Sequence, residues 1–476
     1  MPTLYLTEEY ALVRRDGEDS LLVQIPERQG KNGAVLAAAR KERIPLIKID
    51  EVAVFGEITL TASALHLLLE RNIEITFLGP YGQFKGRLSP PFSRNAILRM
   101  AQYRAHQDMA QRCELARRFV IGKLANQRTL LQRYQRRQVD AEMKQAIEQI
   151  TALLHQLAAL PVGQATMPGR LASGDNRIAS TPLETILGME GAGSAAYFQC
   201  FGKLLADPGQ WPFPGRVKRP PTDPVNALLS FGYSLLTSKV ASAVQLVGFD
   251  HFVGYLHSSF YGRPALALDL IEEFRPIIVD SVVLTLLNNR MLAPNDFVVE
   301  LGAYRLKDEK RKVFFTRFEE RLNEEIQHPV FHYKTSYLRC IELQARLLGK
   351  YLTGEIDAYP PMRIRQEKIM RSKRDGRDRR GNRSQITCYV VAYDIPDDRR
   401  RSRVHQILTG FGKWTQYSLF ECFLTRKDLI LLQSKLSEYL LNTEDSVRFY
   451  PLCANCIARV ETIGDPPPKD EMLFIV

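Results

Sequence analysis

The chain has 476 residues, with 65 Lys and Arg against 53 Asp and Glu, which gives a formal net charge of +12. This length is too great for one typical core and predicts two or three domains. The positive charge indicates a polyanionic partner, and nucleic acid is favoured over a membrane because no continuous apolar run of about 18 residues is present.

The N-terminal residues and the cysteines indicate a cytoplasmic protein. The chain begins without the basic segment and the apolar segment of a secretion signal. Its seven cysteines are scattered, which fits reduced thiols better than a disulfide framework. Only Cys453 and Cys456 lie close together, and because one such pair supplies half of a structural zinc site, we interpret them as core or turn residues.

Short alternating runs of apolar residues predict a β domain over residues 1–90. Examples are Leu21-Leu-Val-Gln-Ile and Ile44-Pro-Leu-Ile-Lys-Ile, and turn residues such as Asp16-Gly17 separate the runs. Residues 61–69 have a helical pattern, which predicts one helix packed against the sheets.

A helical period replaces this pattern over residues 95–157, inside a predicted all-α domain at residues 91–352. Its candidate core positions are Ile97, Met100, Met109, Leu115, Phe119, Ile121 and Leu124. Basic residues are interleaved with them at Arg94, Arg99, Arg104, Arg112, Arg117, Arg118, Lys123, Arg128, Arg133, Arg136 and Arg137. A solvated helix face and a surface that faces phosphates are both open from this pattern.

Two helix starts follow. Thr181-Pro-Leu-Glu184 combines an N-cap, a proline at the first helical position and a Glu three residues after the cap, and Asp223-Pro224 opens the next helix in the same way. The first of these helices carries Glu190, followed by a run of small residues. Either this carboxylate is exposed on the helix, or the small residues clear space around a carboxylate that acts as a ligand.

Metal-ligand chemistry is concentrated in residues 254–276, an otherwise apolar stretch. Asp269 and Glu272 are three residues apart, so on a helix their carboxylates lie on one face. Their mutual repulsion calls for a cation between or beside them. Either Arg275 supplies that charge as a plain ion pair, or a divalent ion is bound by His257 and one or both carboxylates.

The last part of the chain changes character twice. Residues 353–385 are predicted as a basic linker, because ten Lys and Arg stand against three acids between positions 361 and 385. Residues 386–476 have the order βαββαβ with an extra strand at 457–463, which is typical of a ferredoxin-like fold. The final apolar run, residues 472–476, is predicted as a detached strand that adds to the edge of a neighbouring sheet. The predicted fold class is therefore multidomain α+β.

The motifs on this framework resemble two families of CRISPR spacer acquisition. Residues 1–350 resemble the catalytic integrase, Cas one, and residues 386–476 resemble its small partner, Cas two. The first resemblance rests on Gly188-Met-Glu190-Gly, Asp223-Pro-Val-Asn226, Gly254-Tyr-Leu-His257 and Leu266-Ala-Leu-Asp269-Leu-Ile-Glu272-Glu-Phe-Arg275-Pro276. The second rests on Tyr393-Asp394-Ile-Pro-Asp397, on Arg399 and Arg403, and on Gln416-Tyr-Ser-Leu-Phe420-Glu421.

The resemblance implies a fold and a reaction. Family members have an N-terminal β-sandwich-like domain and a helical catalytic domain whose metal is held, at the matching positions, by Glu190, His257 and Glu272, with Asp269 a nearby second acid. Such ligands suit Mg²⁺ or Mn²⁺. The implied reaction is attack of a DNA 3′-hydroxyl on a phosphodiester at the edge of the CRISPR repeat, which inserts a captured fragment into the array. The metal would activate the hydroxyl and stabilise the leaving oxygen.

The resemblance also implies partners. These are double-stranded DNA, both the captured prespacer and the CRISPR leader and repeat, and further copies of the chain; no membrane is expected. Homodimers would form through the catalytic domain and through the ferredoxin-like domain within a higher-order integrase complex. The family assembly has four catalytic subunits for two small ones, a ratio that a 1:1 fusion does not give directly.

Several residues are interpreted as DNA contacts or as a second acidic site. The family places a nuclease aspartate at Asp394, which we interpret as mainly a fold or dimer-interface residue. The candidate phosphate contacts are Arg216, Lys218, Arg219, Arg263, Arg275, Arg399, Arg400 and Arg403.

Two other functions stay open. A metal-dependent endonuclease would cut branched DNA with the same residues but never join a 3′-hydroxyl end to a repeat. A non-catalytic scaffold would need only the basic segments to bind DNA. The acids Glu190, Asp269 and Glu272 and the histidine His257 argue against the scaffold, because a protein that only binds DNA has no need of acids in an apolar stretch.

Overall fold

The computed structural model describes residues 3–29, 35–79, 82–90, 95–136, 139–161, 181–217, 219–257, 262–364, 386–441, 443–457, 459–462 and 474–475. These residues form two compact units. The first combines the two ends of the chain, Met1–Pro80 with Lys85–Pro90 and Arg371–Val476, and the second is formed by Tyr81–Phe84 and Pro91–Met370. Residues 365–385 of the predicted linker 353–385 and Lys218 lie outside the described residues. The described residues 353–364 belong to the second unit, where Tyr359 and Met362 are buried.

Three sheets and one helix form the N-terminal part of the first unit. The elements are β1 (Thr3–Leu6), β2 (Leu12–Arg15), β3 (Ser20–Ile25), β4 (Arg28–Gln29), β5 (Val35–Ala37), β6 (Arg40–Pro45), β7 (Glu51–Phe55), β8 (Thr59–Leu60), α1 (Ala62–Glu70), β9 (Glu74–Leu78) and β10 (Phe84–Leu88). The two larger sheets contain β10-β9-β7-β1 and β6-β3-β2-β8, and β4 pairs with β5 in a third sheet. Apolar residues of the two larger sheets and of α1 share one core, in which Leu4, Val13 and Leu68 are fully buried.

The second unit is mainly helical. Its elements are α2 (Ala96–Gln107), α3 (Met109–Gln135), α4 (Ala141–Ala159), α5 (Pro182–Phe201), α6 (Pro224–Val247), α7 (Ala265–Ile271), α8 (Ser281–Asn288), β11 (Phe297–Glu300), β12 (Ala303–Leu306), α9 (Asp308–Asn323), β13 (Glu325–Gln327), β14 (Lys334–Ser336) and α10 (Tyr337–Leu352). A π-helical turn, Pro276–Asp280, precedes α8.

The expectation of an all-α domain is wrong in one respect, because the second unit contains two antiparallel hairpins, β11–β12 and β13–β14. In the first hairpin the turn is made by Leu301 and Gly302, which have φ angles of 51° and 78°. A helix does not continue through two successive residues with positive φ, so the chain reverses there.

Part of the core predicted for residues 95–157 is also wrong. Leu115, Phe119, Ile121 and Leu124 are buried, whereas Ile97, Met100 and Met109 are 76%, 53% and 42% exposed. The helix is interrupted at Asp108, whose carboxylate caps α3 through the backbone N–H groups of Ala110 and Gln111. A single helical period drawn across this break assigns the wrong face to α2, which instead buries Leu98, Gln102 and Ala105.

Both predicted helix starts are present. Thr181 and Glu184 form a reciprocal capping box at the start of α5, with the Glu184 carboxylate accepting from the Thr181 N–H at 2.7 Å. Asp223 caps α6 by accepting from the Asn226 N–H at 2.8 Å. Helix α6 is long and apolar enough to cross a bilayer, but 67% of its most apolar window is buried inside the protein, as expected of a core helix.

The C-terminal part of the first unit is a small α/β domain. Its elements are β15 (Thr387–Asp394), α11 (Asp398–Thr409), β16 (Lys413–Gln416), β17 (Leu419–Leu424), α12 (Arg426–Ser437), β18 (Ser446–Leu452), α13 (Ala454–Ile457) and β19 (Phe474–Ile475). The sheet order β16-β17-β15-β18 with antiparallel pairing is that of a βαββαβ ferredoxin-like domain.

The extra strand predicted at residues 457–463 is wrong for the residues that the structure describes there. Cys453 accepts from the Ile457 N–H at 2.9 Å and a short helix forms, followed by a turn. The apolar run predicts a strand wrongly because the period of apolar residues does not distinguish one helical turn from a short strand.

The final strand joins the N-terminal part of the first unit. β19 pairs in parallel with β1, with Leu4 opposite Phe474 and Tyr5 opposite Ile475, so it extends the sheet as β10-β9-β7-β1-β19. The predicted edge-adding strand therefore has its partner in the same chain.

Candidate active site

Asp269 is the most heavily hydrogen-bonded acid of the site. It lies on α7, is fully buried, and accepts backbone N–H groups from Tyr255, Leu256 and His257. A Cβ atom at Gly254 would lie 2.6 Å from Asp269 Oδ2, so only glycine allows this loop to pass so close to the carboxylate. The motif Gly254-Tyr-Leu-His257 is thus folded around one aspartate.

The same aspartate orients the histidine. Asp269 Oδ1 also lies 2.8 Å from His257 Nδ1, which donates to it. With its proton on Nδ1, the neutral imidazole carries its lone pair on Nε2, the arrangement common to metal-binding histidines. Nε2 lies 3.9 Å from Glu272 Oε1, so it faces the next acid.

Glu272 is buried between two cations. Arg275 Nη1 lies 2.9 Å from Oε1, and Lys123 Nζ lies 2.8 Å from Oε2. The ammonium approaches Oε2 without hydrogen-bond geometry, and this buried oxygen has no hydrogen-bond partner. Burial raises the pKa of Glu272, but the charges of Arg275 and Lys123 outweigh it and hold the pKa at about 2.

Glu190 projects from α5 toward the same ammonium. Its Oε1 accepts from Ser194 at 3.0 Å and from Lys123. The small residues after Glu190 have a packing role, since a Cβ at Gly193 would lie 2.5 Å from a methyl group of Leu124 on α3. Glycine lets the two helices approach closely, and this approach brings Lys123 to Glu190.

Lys123 is the site residue whose role sequence reasoning missed. The sequence pattern places it among the basic residues of a solvated or phosphate-facing surface, but it is only 6% exposed and bridges Glu190 and Glu272. Burial lowers the pKa of the ammonium, yet Glu272 and Glu190 outweigh this effect and raise it. A signal was present, since Lys123 lies between buried Val120 and Leu124 on the core face, where an unpaired charge is not tolerated.

The donor set fits a divalent ion chemically. Two carboxylates, Glu190 and Glu272, and the oriented Nε2 of His257 surround one cation, and a buried oxygen of Glu272 lacks a hydrogen bond. Both carboxylate oxygens of Asp269 accept hydrogen bonds from residues 255–257. Asp269 therefore supports His257 and is not counted among the ligands of the ion. Among the described residues no three acids, histidines or cysteines are close enough together to hold an ion as they stand, because the central position belongs to Lys123.

Glu273, the neighbour of Glu272, faces the opposite way into the core. It accepts from Tyr359 Oη at 2.8 Å, from Gln344 Nε2 at 3.1 Å and from the Met362 N–H at 2.6 Å. Burial raises the pKa of Glu273 to about 8. These hydrogen bonds fix the backbone beside Glu272. They also hold the segment with Tyr359 and Met362 against the helical core.

Asp280 is a further buried acid, and aromatic and basic side chains surround it. Tyr197 and Tyr233 donate to Asp280 at 2.7 and 2.5 Å. The guanidinium groups of Arg216 and Arg275 lie 5.5 and 4.8 Å from the centre of the Tyr233 ring. Burial raises the pKa of Asp280 to about 6.

Two of the predicted DNA contacts, Arg216 and Arg275, instead bind side chains of the catalytic unit itself. Arg216 donates to Asn226 Oδ1 at 2.7 Å and to Ser230 Oγ at 3.0 Å, and Arg275 pairs with Glu272. Arg263 is partly exposed and Arg219 is exposed.

The predicted contacts of the small domain divide in the same way. Arg399 is exposed and, with Asp398, Ser402, Arg403 and Gln406, lines an open depression. Arg400 instead donates to Asp445 and Glu444, each at 2.8 Å, and Arg403 donates to Glu18 at 2.9 Å. Asp394 is exposed at the end of β15, opposite Ser446.

The Cys453 and Cys456 thiols are both exposed, with their sulfur atoms 3.3 Å apart. No further metal-ligating side chain joins them within the described part of the chain.

Comparison with known families assigns both parts of the chain. Residues 4–320 match the family described as CRISPR associated protein Cas1, and residues 387–460 match CRISPR associated protein Cas2. Both matched regions thus belong to families of CRISPR-associated proteins. The chain belongs to the Cas1 family and continues into a Cas2 domain, so it is a Cas1–Cas2 fusion.

Curated relatives support this assignment. A CRISPR-associated exonuclease Cas4/endonuclease Cas1 fusion of Geobacter sulfurreducens is 41% identical over 365 residues, or 75% of this chain, which spans 59% of that relative. The CRISPR-associated endonuclease Cas1 1 of Chlorobaculum tepidum is 36% identical over 361 residues, covering 75% of this chain and 97% of the relative.

Two solved structures share the fold. A casposase bound to integration product has a TM-score of 0.62 and 24% identity, covering 78% of this chain and 96% of the casposase chain. A chain of a Cas6-RT-Cas1–Cas2 complex has a TM-score of 0.57 and 24% identity, covering 77% of this chain and 36% of its own length.

Proposed function

We propose that this fusion is a spacer integrase, in which a DNA 3′-hydroxyl attacks a phosphodiester at the edge of the CRISPR repeat. The nucleophile and the leaving oxygen both belong to DNA. The protein therefore needs no activated Ser or Cys, and its task is to place charge and to orient the DNA.

The observation that carries the proposal is the cluster of Glu190, Glu272 and His257 around one central cation position. Glu272 is buried, and such an acid is costly unless a cation compensates it. Glu190, Glu272 and His257 Nε2 would hold Mg²⁺ or Mn²⁺, which when bound polarises the phosphodiester and stabilises the leaving oxygen. Asp269 keeps the His257 proton on Nδ1, and Arg275 is a cation at the rim of the site.

The comparisons support joining rather than cutting alone. One solved structure of the same fold is a casposase bound to integration product, and another comes from an assembly that includes Cas1 and Cas2. We propose the corresponding partners for this chain, namely prespacer DNA, leader and repeat DNA, and other copies of itself.

The second candidate is an endonuclease that cuts branched DNA and joins nothing. It is favoured by one observation, that the curated Cas1 relatives are named endonucleases. It uses the same cluster, so only the products separate the two functions.

The test is strand transfer of a short duplex with free 3′ ends into a supercoiled plasmid that bears a CRISPR array, with Mn²⁺ or Mg²⁺. We expect joined product from the wild-type chain and none from His257→Ala. His251→Ala is the matched control, because His251 lies on the same loop and contacts Gln245 and Phe252. Cutting without joining by the wild type would favour the endonuclease, and equal activity of wild type and His257→Ala would refute both.

A further inference from the structure

We propose that Lys123 is a built-in counter-ion that holds Glu190 and Glu272 together while no divalent ion is bound and that competes with the ion for the two carboxylates. The inference rests on the proposed function, because it takes these carboxylates as ligands. Its subject is a residue of α3 that lies outside the motifs from which the site was predicted.

Lys123 lies between the two acids. Its Nζ contacts Glu190 Oε1 and lies 2.8 Å from Glu272 Oε2. These carboxylates come from different helical segments, so the ammonium is the cation that joins them. A divalent ion bound to both acids needs the same space, and two cations do not share it.

Glu272 Oε2 is open to a further cation. The ammonium meets this buried oxygen without hydrogen-bond geometry, and the oxygen has no other donor. A divalent ion could therefore bind Oε2 without breaking a hydrogen bond there. An ammonium on a flexible stem can also move aside without any change in the backbone.

Removal of Lys123 would change the charge balance of the site. Glu272 would retain Arg275 on one oxygen, but no cation would separate it from Glu190. Two facing carboxylates, one of them buried, repel each other. Removal of the lysine should therefore destabilise the ion-free protein and leave the two carboxylates without a competing cation between them.

The test compares Lys123→Met with wild type in the full chain without DNA. Mn²⁺ affinity is measured by isothermal titration calorimetry, and melting temperature is measured in chelator and in saturating Mn²⁺. We expect Lys123→Met to bind Mn²⁺ at least about tenfold more tightly than wild type. We also expect its melting temperature to fall by about 5 °C or more in chelator and to recover largely in Mn²⁺.

Lys239→Met is the matched control. Lys239 Nζ lies 3.4 Å from Glu319 Oε1 in the same unit, and both side chains are buried. Its loss should lower the melting temperature equally with and without Mn²⁺ and leave Mn²⁺ affinity unchanged.

Two variants keep the outcomes separable. His257→Ala tests the metal site itself: if it binds Mn²⁺ like wild type, the proposed site and this inference both fail. If His257→Ala loses binding but Lys123→Met binds no more tightly than wild type, the ion site stands and the counter-ion role of Lys123 is refuted.

If Lys123→Met does not fold in chelator, the double variant Lys123→Met with Glu190→Gln should fold, because one of the two opposed charges is gone. Failure of that double variant to fold would also overturn the inference.

Discussion

Asp269 holds His257 at two points, since its Oδ1 accepts both the His257 backbone N–H and the ring Nδ1–H at 2.8 Å. The backbone contact sets where the residue lies, and the ring contact sets which nitrogen faces Glu272. One buried carboxylate thereby fixes both the position and the tautomer of the imidazole. Asp269 lies on α7 and Glu272 follows its last residue, so the two acids face different partners and have different tasks.

Asp269→Asn should reduce the rate of strand transfer by about 10-fold to 100-fold, because the amide cannot accept from every donor that the carboxylate accepts from and no longer fixes the His257 ring. Product formation is measured together with the ¹⁵N chemical shifts of the histidine ring, which report the protonated nitrogen. Asp250→Asn is the control, since Asp250 accepts from Phe252 and Tyr103 without contacting His257. Unchanged rate and ring shifts in Asp269→Asn would refute the positioning role.

The buried acid Asp280 should leave a signature in the pH dependence of stability. Its pKa is about 6 in the folded chain against 3.8 ordinarily, so the folded state binds the proton more tightly than the unfolded state. The contribution of Asp280 to the free energy of unfolding therefore falls as pH rises from about 4 to about 6, by on the order of 3 kcal/mol.

Asp280→Asn does not titrate, so the difference in free energy of unfolding, wild type minus variant, should decrease across that window in urea titrations. The groups that face Asp280 are Tyr197, Tyr233, Arg216 and Arg275. Tyr233→Phe removes a donor to the charged form and should move the window to higher pH. A constant difference between wild type and Asp280→Asn would contradict the prediction.

Exposed and paired arginines of the small domain should differ in DNA binding. Arg399 is exposed, whereas Arg400 is held by Asp445 and Glu444. If Arg399 contacts a phosphate, Arg399→Ala should reduce the slope of log affinity against log salt by about 0.9. Arg400→Ala should leave the slope unchanged but lower the thermal stability. Equal slopes for wild type and Arg399→Ala, measured by fluorescence anisotropy, would exclude this contact.

Asp19 should secure the small domain to the N-terminal sheets. Its carboxylate contacts Lys435 of α12 and Arg71 beside α1. Asp19→Ala should therefore increase hydrogen exchange in α12 and along β1, where β19 is paired. Asp16→Ala is the control, because Asp16 pairs 2.7 Å from Arg43 within the N-terminal part alone. Protection of α12 as in wild type would show that Asp19 does not hold this contact.

The features that sequence predicted well depend on residues close together in the chain. The caps at Thr181 and Asp223 need only hydrogen bonds to backbone groups three residues away. The order βαββαβ is predicted from the period of the apolar residues. The three-residue spacing of Asp269 and Glu272 is what drew attention to these two acids as a pair.

Sequence by itself therefore determined the family, the two helix caps and the order βαββαβ of the small domain, and it singled out the acids and the histidine that we propose for the site. Tertiary structure alone decided that Lys123 lies between Glu190 and Glu272, that Arg400 and Arg403 are paired with acids, and that β19 joins β1. The reason is physical, since a cation pairs with whichever acid the packing brings to it. Local pattern shows that Lys123 is charged, but only the close approach of α3 and α5 at Gly193 shows what that charge neutralises.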